Sequence, residues 1–178
     1  MPEIIFSGKI LAGKEIIHST RTLGDLRSIF EHGDLITEQQ ANDTVYNVSS
    51  YLPEKEGTPG VLYFGVTNLN PGCVGDEYFI TKGHFHARLD TAEFYWGIEG
   101  EGVLILMDEW GNTKGERMFP GSLHYIPLRM AHRVANVSDV TLSFGACWPS
   151  TAGHNYDSIE QNGFSARLKK INGTPQLV

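Results

Sequence analysis

Cysteine is nearly absent from this sequence. Cys73 and Cys147 are its two thiols, and no C-x-x-C spacing accompanies them. That excludes a disulfide scaffold and a cysteine-built zinc module, and the pair reads as two reduced, packed thiols in a reducing compartment. Basic runs are missing as well. With a formal net charge of -7 at pH 7 and no lysine/arginine cluster, the chain is not expected to bind nucleic acid or an anionic membrane surface. An anionic ligand would have to be held by local donors. No apolar stretch approaches the roughly 20 residues of a membrane span. The opening MPEIIFSGKILAGKEII has an acidic residue at Glu3 and reads as neither signal peptide nor span, so a cytoplasmic location is expected. Internal repeats and low-complexity tracts are absent too, which leaves one folding unit.

Helical periodicity is scarce. The one good signal is TLGDLRSIFEHG, residues 22–33, where Leu23, Leu26 and Phe30 recur at three- and four-residue spacing and Gly33 follows as a stop. From residue 44 onward, short β-rich runs follow one another: TVYNVSSY, GVLYFGVTNL, DEYFIT, GVLILM, LHYIP, HRVANV and TLSFGACW. PEKEG, NPGCVGD, DEWGN and FPGS separate them with the residues that turns need. Without long helices between strands a parallel sheet is excluded, and the expectation is an all-β sandwich or barrel of antiparallel strands with short N-terminal and peripheral helices. Residues 1–178 read as one domain, with 1–43 as an N-terminal extension that contains the short helix.

Histidine is used only seven times, yet two of the seven fall in GHFHARLDTAE, residues 83–93. In an extended chain His84 and His86 share a face, and Phe85 points away. Two imidazoles turned inward need partners for their nitrogens, and a divalent metal supplies one. Glu93 follows after a turn and a return along the neighbouring strand EFYWGI. His132, early in the β segment after Pro127, completes a set of three imidazoles and one carboxylate. Such a set suits a first-row ion, and an octahedral ion would keep two positions open for substrate. His18, His32 and His124 lack such companions and read as surface or packed histidines. Tyr95, two residues past Glu93, shares its face, while Phe94 and Trp96 point outward or into a second layer. Strand alternation aims Lys82 away from Thr81 and Gly83.

GHFHARLDTAEFYWGIEGEG resembles the first cupin motif and GERMFPGSLHYIPLRMAHRVAN the second. Six residues separate His86 from Glu93 where general cupins have three or four, and Arg129 stands where the second motif has glycine. Together with TKGHFH, AEFY and the downstream AGHNYDSIEQNGFS, these features resemble the cupin-type glucose-6-phosphate isomerases over about residues 44–166. The resemblance implies a homodimeric jelly-roll barrel with a divalent metal on His84, His86, Glu93 and His132; the donor set puts iron or manganese before zinc or nickel, one ion per subunit. The resemblance further implies that Thr67, Thr81 and Gly83 hold a substrate phosphate, and that Tyr95, Trp148, His154 and Tyr156 line the sugar site, with Trp148 where the family has tyrosine.

The implied reaction, part of glycolysis and gluconeogenesis, interconverts glucose 6-phosphate and fructose 6-phosphate. Glu93 is the first candidate for the base, His154 and Tyr156 the next, and a hydride shift without a base the third. A cupin dioxygenase or decarboxylase, or a non-catalytic sugar-binding cupin, are the alternatives from other classes.

Overall fold

The computed structural model describes residues 3–178. Its main element is a six-stranded antiparallel sheet made of β3 (Ile16–Thr22), β4 (Thr44–Tyr51), β5 (Leu62–Leu69), β8 (Glu93–Glu99), β11 (Leu123–Ile126) and β13 (Leu142–Pro149). Their order across the sheet is β11-β8-β13-β5-β4-β3. Facing it is an antiparallel sheet of β9 (Gly102–Met107), β10 (Thr113–Met118) and β12 (Ala131–Asn136), ordered β10-β9-β12. The free edge of β12 is met by residues 79–84, through Thr81 N to Val134 O at 2.9 Å and the reciprocal pair of His84 and His132. A small sheet of β6 (Cys73–Val74), β7 (Glu77–Tyr78), β14 (Leu168–Ile171) and β15 (Thr174–Leu177) flanks them, and β1 (Ile4–Ser7) pairs with β2 (Ile10–Gly13). The all-β, antiparallel class expected from the strand spacing is the class observed.

Alternation places the core. Leu104, Leu106, Val134, Leu142, Leu69 and Ile80 are fully buried between the two main sheets. The expected strands 44–51 and 102–107 match β4 and β9 end to end. The DEYFIT run is shorter than expected: only Glu77–Tyr78 form a ladder, and Ile80 makes a single bridge to Ala135. Strands β1, β2, β3, β6, β10, β14 and β15 have no counterpart in the sequence reading, which began its strands at residue 44 and took NPGCVGD as a turn. Each is an edge or hairpin strand with at most one buried residue, so no inward apolar alternation marks it.

The expected helix at 22–33 is broken. A capping box between Thr22 and Asp25 starts α1 (Leu23–Leu26), but the chain then passes into a 3-10 turn at Arg27–Ile29 and is extended by Phe30. Burial decides this, because Leu23, Leu26, Ile29 and Phe30 all reach the core only if the chain bends around it. Gly33 is a close-approach residue rather than a stop: a β-carbon there would lie 2.0 Å from the Arg27 carbonyl oxygen. Residues 16–22 of the N-terminal segment form the outer strand of the six-stranded sheet, paired along β4. Cys73 lies exposed on a two-residue edge strand, which corrects its reading as a packed thiol, and Cys147 is half-buried.

Candidate metal centre and active-site cavity

Register across the six-stranded sheet builds the site's floor. One inward rung carries Tyr95, Ala146, Gly65 and Ser50, and the next carries Gly97, Phe144, Thr67 and Val48. Because Ala146, Gly65 and Ser50 are small, the space above them stays open as a cavity of about 710 Å³. Phe94 and Trp96 point to the other side of β8, where Trp96 packs on Phe64 at 5.2 Å between ring centroids and Phe94 on Tyr125 at 5.3 Å, as alternation requires.

The four expected ligands converge at one wall of this cavity. One ligand atom from each of His84, His86, Glu93 and His132 can be chosen so that all lie within 4.8 Å of one another. His86, Glu93 and His132 are buried and His84 is half-buried. The route by which they meet differs from the expected one. The strand that neighbours residues 84–86 is β12, not β8; the turn 87–92 carries the chain from one sheet to the other, so Glu93 faces the histidines across the interior.

Backbone carbonyls set the imidazoles. His86 Nδ1 lies 3.0 Å from Thr91 O, and His132 Nδ1 lies 3.3 Å from Met130 O. Each Nδ1 donates its proton there, which leaves Nε2 as the bare nitrogen aimed at the cluster, the arrangement metal-ligating histidines adopt. His86 Nε2 is 3.1 Å and His132 Nε2 3.2 Å from Glu93 Oε2. The His132 contact is off-line, and its buried Nε2 has no hydrogen-bond partner among the described residues. A buried, unpartnered nitrogen is costly, and a cation among these four groups would remove that cost. The donor set fits an ion of borderline hardness.

Charge follows the geometry. Burial penalises the Glu93 carboxylate, yet the imidazoles of His132 and His86 beside it hold its pKa below the ordinary value. Burial, then its three histidine neighbours, push His84 well below its usual pKa and keep its nitrogen free for a ligand. His154 is lowered as well, first by burial. Tyr95 is pushed well above the usual phenol range by burial and then by Glu93, so it stays a neutral hydroxyl.

All seven substrate-site residues expected from the motifs line the cavity: Thr67, Thr81, Gly83, Tyr95, Trp148, His154 and Tyr156. His154 and Tyr156 stack, with centroids 5.8 Å apart and planes 4° apart, and His154 sits 4.5 Å from His84. Trp148 meets Tyr63 edge-on at 5.9 Å. The Thr81 hydroxyl accepts from Val134 N at 3.0 Å, which orients it and leaves its proton to donate. Gly83 adopts φ +78°, and a β-carbon on it would lie 2.9 Å from Phe164 and 3.0 Å from Arg133 Cβ, so only glycine fits.

That left-handed residue also breaks the alternation that had turned Lys82 away. Lys82 lines the cavity, with Nζ 4.4 Å from the Tyr156 ring centroid and 2.6 Å from Glu160 Oε1. Arg21 and Tyr46 line it too, and no motif had marked either one. Burial pushes the Tyr46 phenol up to about 12, and its oxygen accepts from Lys82 N at 3.5 Å. Arg129, at the motif's glycine position, has φ +63°, the backbone that glycine would supply, and pairs with Glu109 at 3.0 Å. Among the other histidines, His18 is exposed against Ser49, and His124 is buried between Glu116 and Ser122.

The sequence is 39% identical to a glucose-6-phosphate isomerase of Thermococcus onnurineus over 97% of this chain and 89% of that one. It is 40% identical to a glucose-6-phosphate isomerase of Pyrococcus furiosus over 90% of this chain and 85% of the relative. Among solved structures, oxalate decarboxylase from Bacillus subtilis is similar at a TM-score of 0.47 and 18% identity, covering 61% of this chain and 26% of that one. This chain thus spans about a quarter of the decarboxylase's length. The family described as glucose-6-phosphate isomerase (GPI) matches residues 20–176. On that match and the identity to its members, the chain belongs to the glucose-6-phosphate isomerase family.

Proposed function

We propose that the chain interconverts glucose 6-phosphate and fructose 6-phosphate, with one divalent ion at His84, His86, Glu93 and His132 and the sugar phosphate in the adjoining cavity. The observation that carries this reading is the opening of a four-ligand cluster onto a cavity walled by hydroxyls and aromatic rings. Iron or manganese suits three imidazoles and a carboxylate better than magnesium does. Bound there, the ion would supply a Lewis acid for the oxygens on C1 and C2.

The chain's own groups do the rest. Thr67, Thr81 and the Gly83 backbone receive the phosphate, and Arg21 brings positive charge to the same cavity. Glu93 moves the proton between C1 and C2: both histidine contacts fall on Oε2, which leaves Oε1 to take and return it. His154 and Tyr156 hold the sugar hydroxyls. His154, kept neutral by burial, is the alternative base.

The assay that tests this is anaerobic conversion of fructose 6-phosphate to glucose 6-phosphate, before chelation, after it, and after reloading with Fe²⁺, Mn²⁺, Zn²⁺, Ni²⁺ or Mg²⁺. Turnover lost on chelation and restored best by Fe²⁺ or Mn²⁺ supports the reading. Full turnover by the metal-free protein, or a requirement for O₂, would overturn it.

We further propose a homodimer formed on the outer face of the six-stranded sheet. Phe94 is 45%, Tyr125 49%, Leu123 67% and Leu62 59% exposed on that sheet, more apolar surface than a lone sheet face needs. Sedimentation of Leu123→Asp as a monomer beside a dimeric parent would support it, and a monomeric parent would overturn it. A cytoplasmic location accords with the near absence of cysteine and the acidic balance; among the described residues no helix is long and apolar enough to cross a membrane.

A further inference from the structure

The two faces of β12 carry different chemistry. His132 looks into the cavity, and Arg133, the next residue, points the opposite way, toward α2 (Asp157–Asn162) and Phe164. Arg133 is 2% exposed, with its guanidinium carbon 4.3 Å from the Phe164 ring centroid. Its Nη2 donates to Ala166 O at 3.2 Å, but its buried Nε finds no partner among the described residues. The carboxylate within electrostatic reach, Glu77, is already committed. Arg167 Nη1 donates to both of its oxygens at 3.0 Å, and Glu31 N donates to Oε2 at 2.9 Å.

A second cavity, of about 240 Å³, lies against this arginine. Its wall includes Arg133, Arg167, Ser28, Gln161 and Asn162, with Glu160 at one side. Glu160 is neutralised by Lys82, 2.6 Å away. Two guanidinium groups therefore share one carboxylate, Glu77, and a buried positive charge is left without a counterion beside an open, polar-lined space. Uncompensated buried charge is strongly unfavourable, and guanidinium with amide and hydroxyl donors matches the geometry of an oxyanion.

We propose that this cavity is a second anion site, for a small tetrahedral oxyanion of the phosphate class, separate from the cavity that holds the metal ligands. The guanidinium groups of Arg133 and Arg167, which line it, are its charged donors, and Ser28, Gln161 and Asn162 form its polar mouth. The site shares β12 with His132, and α2 with the Tyr156 that caps it, so the same two elements carry residues of both cavities.

The test is calorimetric titration with inorganic phosphate of the parent protein and of Thr81→Val, Arg133→Met and Ser28→Asp. Ser28 is exposed at the mouth, so its substitution leaves the packing alone and sets a like charge against the incoming ion. The expected result is a binding step that Thr81→Val keeps, that Arg133→Met abolishes, and that Ser28→Asp weakens by about tenfold or more. Should the buried Arg133→Met variant fail to fold, Ser28→Asp decides by itself. A phosphate isotherm unchanged by Ser28→Asp, or one lost altogether in Thr81→Val, would overturn the proposal.

Discussion

At the Leu142–Leu69 rung of the six-stranded sheet both side chains are fully buried; four residues along the same two strands, at Ala146–Gly65, the sheet faces an open cavity. The backbone ladder is the same at both places, so the difference lies in side-chain volume. At the first rung a β-carbon on Gly102 would come within 2.3 Å of a Leu142 methyl, so the space is filled to the last atom. At the second, small side chains withhold filling and leave room for a ligand. One end of the interior stabilises the molecule through burial and the other forgoes burial to hold polar groups in place. Substitutions should therefore separate cleanly into those that move stability and those that move turnover.

The sharpest break between the two ends is expected from the metal. Chelation should remove turnover completely while the apolar rung keeps the protein folded, as circular dichroism of the metal-free protein would report. Unfolding on chelation would instead make the cluster part of the folding core. Next in size, Glu93→Gln should lower kcat by about 10²-fold or more, in the range for losing an acid–base group. Metal content must be measured in the same sample, and the reaction run in D₂O. A metal-replete variant that loses both turnover and deuterium uptake at C2 places the proton on Glu93. Retained turnover leaves Glu93 as a ligand only.

At the filled end, Leu142→Ala should cost about 2–5 kcal/mol of stability by urea unfolding, with KM unchanged in the folded protein. A KM that rises with it would show that the two rungs are coupled. The smallest effect is expected from Thr81→Val, which should raise KM by about tenfold with little change in kcat, because phosphate contacts alter little between ground and transition states. An unchanged KM removes Thr81 from the phosphate site.

Much of the fold was legible because inward strands announce themselves. TVYNVSSY and GVLILM are β-rich runs bounded by turn residues, and both are strands to their last residue. TKGERM in β10 and the hairpin Leu168–Leu177 bury only Met118 and Leu168 and are otherwise half-buried or exposed, so no inward alternation survives to be read. The helix at 22–33 shows the converse. Its apolar spacing was real, but those residues serve a chain that bends around the core rather than a straight helix. In the site, His84, His86, Glu93 and His132 stood out because metal ligands are scarce residue types at telling spacings. Lys82 was misplaced because the positive φ of Gly83 is invisible to strand alternation. Arg21 and Tyr46 were missed because an arginine and a tyrosine on strands are ordinary.

The sequence by itself determined the class of fold, the four groups able to hold a metal, and the family to which the chain belongs. All of these are written in local pattern: alternation, turn residues, and histidines with a glutamate at short range. Only the tertiary structure decided that Glu93 meets the histidines from the opposite sheet, that small residues on three strands open one cavity, and that Arg133 and Arg167 converge on another. Those facts depend on register between strands distant in the chain, where a shift of one residue turns every side chain to the other face, and no local spacing records that choice.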